Sequence, residues 1–149
     1  FGHDVIVYGH ANLYGCTIGD YCRIGTFVEI QSQVTIGNRV RIQSHSFICS
    51  SVVIEDDVFV GHHVCFTNDR YPDTVTAESA EWVCEQTTVK QGASIGSSVV
   101  ILPGIEIGEK ALIGAGSVVT RNVAPNTVVV GNPAKVIRLL DSNRTYQAE

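Results

Sequence analysis

Methionine is absent from this chain of 149 residues, tryptophan occurs once (Trp82), and aromatic side chains make up only 7% of it. With Phe1 in first place and no methionine, the native start is expected upstream. Nowhere do apolar residues run to the roughly 18 that a membrane span needs, and no signal-peptide pattern opens the chain. The five cysteines (Cys16, Cys22, Cys49, Cys65, Cys84) are odd in number and form no CxxC pair. That argues against a disulfide framework or zinc knuckle and for a reducing, cytoplasmic setting. Basic residues are scarce: 10 Lys+Arg stand against 15 Asp+Glu, a net charge of −5, which argues against a nucleic-acid binder. At 44% apolar and 17% charged, the remainder is ordinary globular composition, and disorder, collagen and low complexity are excluded. The length suits a single domain spanning 1–149.

The charge is unevenly spread. Residues 1–109 hold 5 Lys+Arg against 13 Asp+Glu, whereas 110–144 hold Lys110, Arg121, Lys135, Arg138 and Arg144 against Asp141 alone. A basic end on an acidic body is compatible with a small polyanionic ligand bound there.

The decisive signal is a repeat. Every sixth residue from position 18 is apolar (Ile18, Ile24, Ile30, Ile36, Ile42, Ile48, Ile54, Val60, Phe66), and again from position 89 (Val89, Ile95, Ile101, Ile107, Ile113, Val119). Glycine often follows, and a small or β-branched residue sits four places on, as at Cys22, Val28, Val34 and Val40. A period of six is a short strand and a turn, repeated. The glycines serve either a positive φ or a close backbone approach. Three hexads make an 18-residue triangular coil, so Ile18, Ile36 and Ile54 should form one inward column at a spacing of roughly 4.8 Å. About six such coils are expected. The pattern weakens at the start, where Ile6 fits the count but Asn12 would have to point inward.

The two blocks are out of phase, so a loop of about 17 residues must leave the coil within 67–88, mostly over 68–86. It carries Arg70, Tyr71, Trp82 and several carboxylates. Beyond Val123 the repeat is expected to dissolve into an extended end, about 124–149, closing in a polar tail.

The hexads, the loop and the ending VKQGASIGSSVVILPGIEIGEKALIGAGSVVTRNVAPNTVVVGNPAKVIR resemble the left-handed parallel β-helix acyltransferases of the hexapeptide-repeat superfamily. The left hand is implied by that resemblance; periodicity does not supply it, and crossover rules favour the opposite hand. The resemblance implies homotrimers binding acetyl-CoA in the cleft between the β-helices of neighbouring subunits, with no metal. Within the superfamily, VFVGHHVCFTNDRYP is similar to enzymes that N-acetylate nucleotide-linked (dTDP or UDP) 3-amino sugars for bacterial surface polysaccharides. Those relatives carry Arg after the motif's Pro, where this chain has Asp73.

The chemistry separates the acceptors. A hydroxyl needs a base, and the superfamily's O-acetyltransferases keep a His-Pro in the loop for it. Here that stretch is Arg70-Tyr71-Pro72. A neutral amine is already nucleophilic and needs orientation more than a strong base. Asn68 would orient the amine, and Asp69 would hold the ammonium before it loses its proton; both are also ordinary turn-capping residue types. His45 and His63, 18 apart, should stack on consecutive coils near the loop's root, lining the acceptor site with His45 as the candidate base. Neighbouring His62 reads as a plain turn residue. Arg70, Tyr71 and Trp82 are candidate substrate contacts. The resemblance implies CoA phosphates at Lys135 and Arg138, and pantetheine contacts at the backbone of Gly114, Ala115 and Gly131. Cys16 and Cys22 read as core.

The expected activity is therefore acetyl-CoA-dependent N-acetylation of a nucleotide-linked amino sugar by a cytoplasmic homotrimer, without nucleic-acid or membrane partners. Three alternatives compete: a sugar or serine O-acetyltransferase using a His base, a γ-class carbonic-anhydrase-like metalloprotein, and a non-catalytic β-helix scaffold. The carbonic anhydrases of this fold use a histidine spacing that His45, His62 and His63 do not reproduce.

Overall fold

Two-residue strands such as Thr17–Ile18 and Arg23–Ile24 recur throughout the chain, each with its second residue facing inward, and they wind into a triangular coil. The computed structural model describes residues 1–79 and 82–140; the polar tail expected at 141–149 lies outside the described residues. Stacked coils form three flat parallel faces of seven, six and five strands, and an antiparallel strand borders the first face. This is the parallel β-helix that the hexads predict, and its extent matches the expected six or so coils.

Register follows the repeat. Ile18 pairs with Ile36 and Ile36 with Ile54, while Ile24 pairs with Ile42 and Ile42 with Val60. All of these side chains are buried, as are the small residues four places on from Cys22 to Ser117. Each buried aliphatic contributes about 1.5–3 kcal/mol before entropy, so the columns form one continuous core without a second layer.

Three features refine the expectation. The first coil is one residue short: Val7 pairs with Ile24 and Leu13 with Ile30, so these residues, not Ile6 and Asn12, take the inward positions. The turn at Gly15, which has φ 61°, absorbs the deletion and leaves Asn12 exposed. Next, the hexad glycines serve close approach. A Cβ on Gly61 would lie 2.7 Å from the carbonyl carbon of Gly96, and one on Gly19 would lie 2.6 Å from the carbonyl oxygen of Gly37. Positive φ falls two residues later, mostly on non-glycine residues such as Tyr21, Arg39, His45 and His63. Lastly, the chain beyond Val123 continues the coil. Val123 bridges to Ile107, Thr127–Val130 lies parallel to Leu112–Ile113, and Lys135–Leu139 then folds back antiparallel on its outside.

The corners differ. The first, between third and first faces, is zipped by side chains that cap the coil before: Asp20 accepts from the His3 N–H, Asn38 from the Asp20 N–H and Asp56 from the Asn38 N–H. The Asn38 backbone N–H and carboxamide hold the Asp56 carboxyl below its usual range. The second corner, between first and second faces, carries His10, Phe27, His45, His63, Ser98 and Gly116 on successive coils. The third corner releases the excursion after Cys65–Phe66, and the chain re-enters at Thr87–Val89, paired with Val52–Ile54.

Candidate active site

On the second corner four rings stack along the coil axis. His10 lies over Phe27 at 5.2 Å between centroids, Phe27 over His45 at 5.0 Å, and His45 over His63 at 4.7 Å with planes only 15° apart. The stacking expected of His45 and His63 is present. Their position beside the loop's root is not: the excursion leaves from the third corner, at the opposite edge of the second face. His63 and Asn68 are five residues apart across the strand Cys65–Phe66, roughly 16 Å of extended chain at most.

His62, read from sequence as a plain turn residue, has a partner here. Its Nδ1 lies 2.8 Å from Ser44 Oγ on the coil before. In the tautomer that donates from Nδ1, the hydroxyl fixes the ring and leaves Nε2 free as a base. Positions 44 and 62 are 18 apart, so the column was legible; the serine's part in it was not.

Above the histidines the same corner carries Gly114, Ala115 and Gly116. The Gly114 N–H donates to the Val129 carbonyl at 2.8 Å, and the Gly131 N–H donates to Ser117 Oγ at 3.0 Å. Of the three backbone positions expected to meet a pantetheine arm, only Ala115 keeps an N–H without a described partner. Gly114 is also required by packing, since a Cβ there would strike Val130. Lys135 and Arg138 lie exposed on the antiparallel edge strand, with no acid partner among the described residues. They are the groups suited to the phosphates of a CoA-sized ligand.

At the third corner Asn68 is half-buried, and its carboxamide makes no hydrogen bond to another described residue. Asp69 Oδ1 accepts the Tyr71 N–H at 3.0 Å, a turn-capping contact that leaves Oδ2 open. Arg70, expected to meet substrate, instead holds the excursion to the coil. It forks onto Glu85 at 3.2 and 3.0 Å and donates to the Pro103 carbonyl at 2.6 Å. That contact pushes the Glu85 carboxyl below its usual range. Tyr71 is 82% exposed and Trp82 37% exposed, and the backbone N–H of Trp82 donates to the Ser79 carbonyl at 3.3 Å. Residues 80 and 81 lie outside the described residues.

Burial pushes the Cys65 thiol up and the Cys49 thiol up to about 12, which leaves both poor nucleophiles. Among the described residues no three His, Cys, Asp or Glu side chains are grouped to hold a metal ion, and no helix is long and apolar enough to cross a membrane.

Comparison with known proteins bears on the fold. The family model described as bacterial transferase hexapeptide (six repeats) matches residues 15–50 and 86–121. The galactoside O-acetyltransferase of Lactococcus lactis subsp. lactis (strain IL1403) is 31% identical over 105 residues, covering 64% of this chain and 51% of that protein. The N-acyltransferase AntD of Bacillus cereus, solved as a variant with dTDP and coenzyme A, superposes with a TM-score of 0.83 over 95% of this chain and 83% of its own, at 20% identity. A variant of the perosamine N-acetyltransferase of Caulobacter crescentus, solved with CoA and GDP-perosamine, gives a TM-score of 0.75 over 89% of this chain and 55% of its own, at 19% identity. At such identities the two structures speak to the fold. The two matched blocks are hexapeptide repeats of the acetyltransferase type, and the chain has the left-handed parallel β-helix. It spans about half the length of the curated relatives it matches.

Proposed function

We propose that the chain is an acetyl-CoA-dependent N-acetyltransferase acting on the amino group of a nucleotide-linked sugar, working as a homotrimer with each site between two subunits. The observation that carries this reading is Asn68: an unpaired carboxamide, half-buried at the root of an excursion in which Arg70-Tyr71-Pro72 offers no histidine base. A carboxamide orients an amine and removes no proton, which is what an amine acceptor requires. The dTDP held by AntD and the GDP-perosamine held by the Caulobacter enzyme add support for a nucleotide-linked acceptor.

The subunit arrangement rests on the two corners. One chain keeps Asn68 and the second corner at opposite edges of a face, so a site using both needs the third corner of one chain beside the second corner of its neighbour. In that site Lys135 and Arg138 hold the phosphates of acetyl-CoA, and the open Ala115 N–H faces the thioester end. The amine, oriented by Asn68, attacks the thioester carbonyl carbon; one N–C bond forms, the C–S bond breaks, and sulfur leaves as thiolate. The ammonium proton passes to the open oxygen of Asp69 or to water. A backbone N–H of the second corner stabilises the oxyanion on the way.

One observation favours a second reading. The Ser44–His62 pair supplies a ring with a free nitrogen, the equipment for a hydroxyl acceptor, and the Lactococcus relative is an O-acetyltransferase. Thiol release from acetyl-CoA, with dTDP- and UDP-linked 3-amino sugars and then galactosides as acceptors, tests the choice. Release that depends on the amine supports N-acetylation; release only with a hydroxyl acceptor overturns it and makes His62 the base.

A further inference from the structure

Residues 1–109 contain five cations in a strongly acidic body, and four of them are matched. Arg23 meets Asp4, Arg39 meets Asp56 and Asp57, Arg70 meets Glu85, and Lys90 meets Glu55. Arg41 is the exception: it is exposed and forms no ion pair or side-chain hydrogen bond with another described residue. It also stands directly beside Arg23 on the neighbouring parallel strand, and because Asp4 already answers Arg23, the charge left open there is that of Arg41.

These two arginines share a groove of about 380 Å³ on the outside of the first face, lined also by Tyr8, Gln43 and Ser44. The volume is that of a small-ligand cleft, about 300–1,000 Å³. Its chemistry is specific. The Arg41 guanidinium presents an unspent donor fork suited to phosphate oxygens. Gln43 and Ser44 add neutral donors, and Tyr8, 54% exposed, supplies a ring face. Ser44 is also the residue that holds His62, so the groove opens directly onto the second corner.

The geometry points to a binding site for a nucleoside diphosphate in this groove, with the diphosphate on Arg41 and the base against Tyr8. This rests on the proposed acceptor class and deepens it. The nucleotide carrier lies along the first face, and the sugar attached to its terminal phosphate reaches over the Ser44–His62 corner. Diphosphate occurs in CoA as well, and the groove is assigned to the acceptor because the unpaired Lys135 and Arg138 lie on the separate edge strand.

Titration calorimetry on the whole chain with dTDP, UDP and CoA tests the assignment. Arg41→Gln should weaken dTDP or UDP by about tenfold or more and leave CoA unchanged. Tyr8→Ala should weaken the nucleotide less, and Arg39→Gln, on another corner, should change nothing. Arg41 has no partner to lose, so its variant should keep the wild-type thermal midpoint. Nucleotide affinity unchanged in Arg41→Gln, loss of CoA affinity instead, or no nucleotide binding by the wild type each overturns the site. Failure of the functional reading looks different: nucleotide bound through Arg41 with no amine acetylated leaves the groove standing and removes the acceptor. Amine acetylation with an unchanged KM in Arg41→Gln does the reverse.

Discussion

The second and third corners flank the same sheet, yet they are built on opposite plans. The second repeats a turn on every coil, and its ring stack from His10 to His63 follows the coil axis with centroids 4.7–5.2 Å apart. The third is interrupted by an excursion held at its root by Arg70, Glu85 and the Pro103 carbonyl. A rigid corner holds groups at fixed spacing, as an extended cofactor requires. The interrupted corner places a few polar groups, Asn68 among them, beyond the coil's own outline. The proposed site needs both properties and so draws on both corners.

Removing what the corners share should have the largest effect. Ile48 is fully buried beneath the face between them, and Ile48→Ala should cost about 2–5 kcal/mol. Thermal melting should show one earlier transition, because both corners rest on that column. Asn68→Ala acts on the third corner alone. It should lower kcat/KM about a hundredfold with acetyl-CoA affinity kept, and unchanged kinetics would remove Asn68 from catalysis. Lys135→Ala acts on the other side and should raise the KM for acetyl-CoA about tenfold with kcat kept.

Smaller effects sharpen the contrast. Where the excursion rejoins the coil, Thr87 is buried with its Oγ1 unsatisfied, in the column position held by Val52 on the coil before. Thr87→Val should therefore stabilise by about 1 kcal/mol, seen as a higher thermal midpoint. The smallest effect is on pH. Arg70 lowers the folded-state value of Glu85, so the anchor's contribution is complete above the ordinary glutamate range and is lost as pH falls through the folded value. Proteolysis of the excursion should accelerate in that acidic window, and Glu85→Gln should show the fast rate at neutral pH as well.

The fold was legible because a period of six with paired inward residues admits few architectures, and the columns through Ile18, Ile36 and Ile54 followed by counting. Counting also concealed the short first coil. Ile6 and Val7 are both aliphatic, so a slip of one residue left the hexad count looking sound until Asn12. The C-terminal continuation was hidden because Asn122-Val123-Ala124-Pro125 breaks the hexad spelling while the strand pairing persists. For the site, periodicity identified which residues share a column, hence the His45–His63 stack. It says nothing of partners between different residue types, so Ser44 with His62 and Arg70 with Glu85 emerged only from coordinates. Hexad counting does separate His63 from the loop's root, since one turn follows Val60 and the next follows Phe66, close as the two are in sequence.

The claim that one site is built from two corners of different chains is tested most directly by mixing two disabled subunits. Ala115→Trp obstructs the second corner, Asn68→Ala disables the third, and each alone should be nearly inactive. Refolded together in equal amounts, random assembly should bring an intact pair of corners together in about a quarter of the sites, and thiol release should recover to about that fraction of wild type. Activity no greater than the sum of the two separate variants would contradict the shared site.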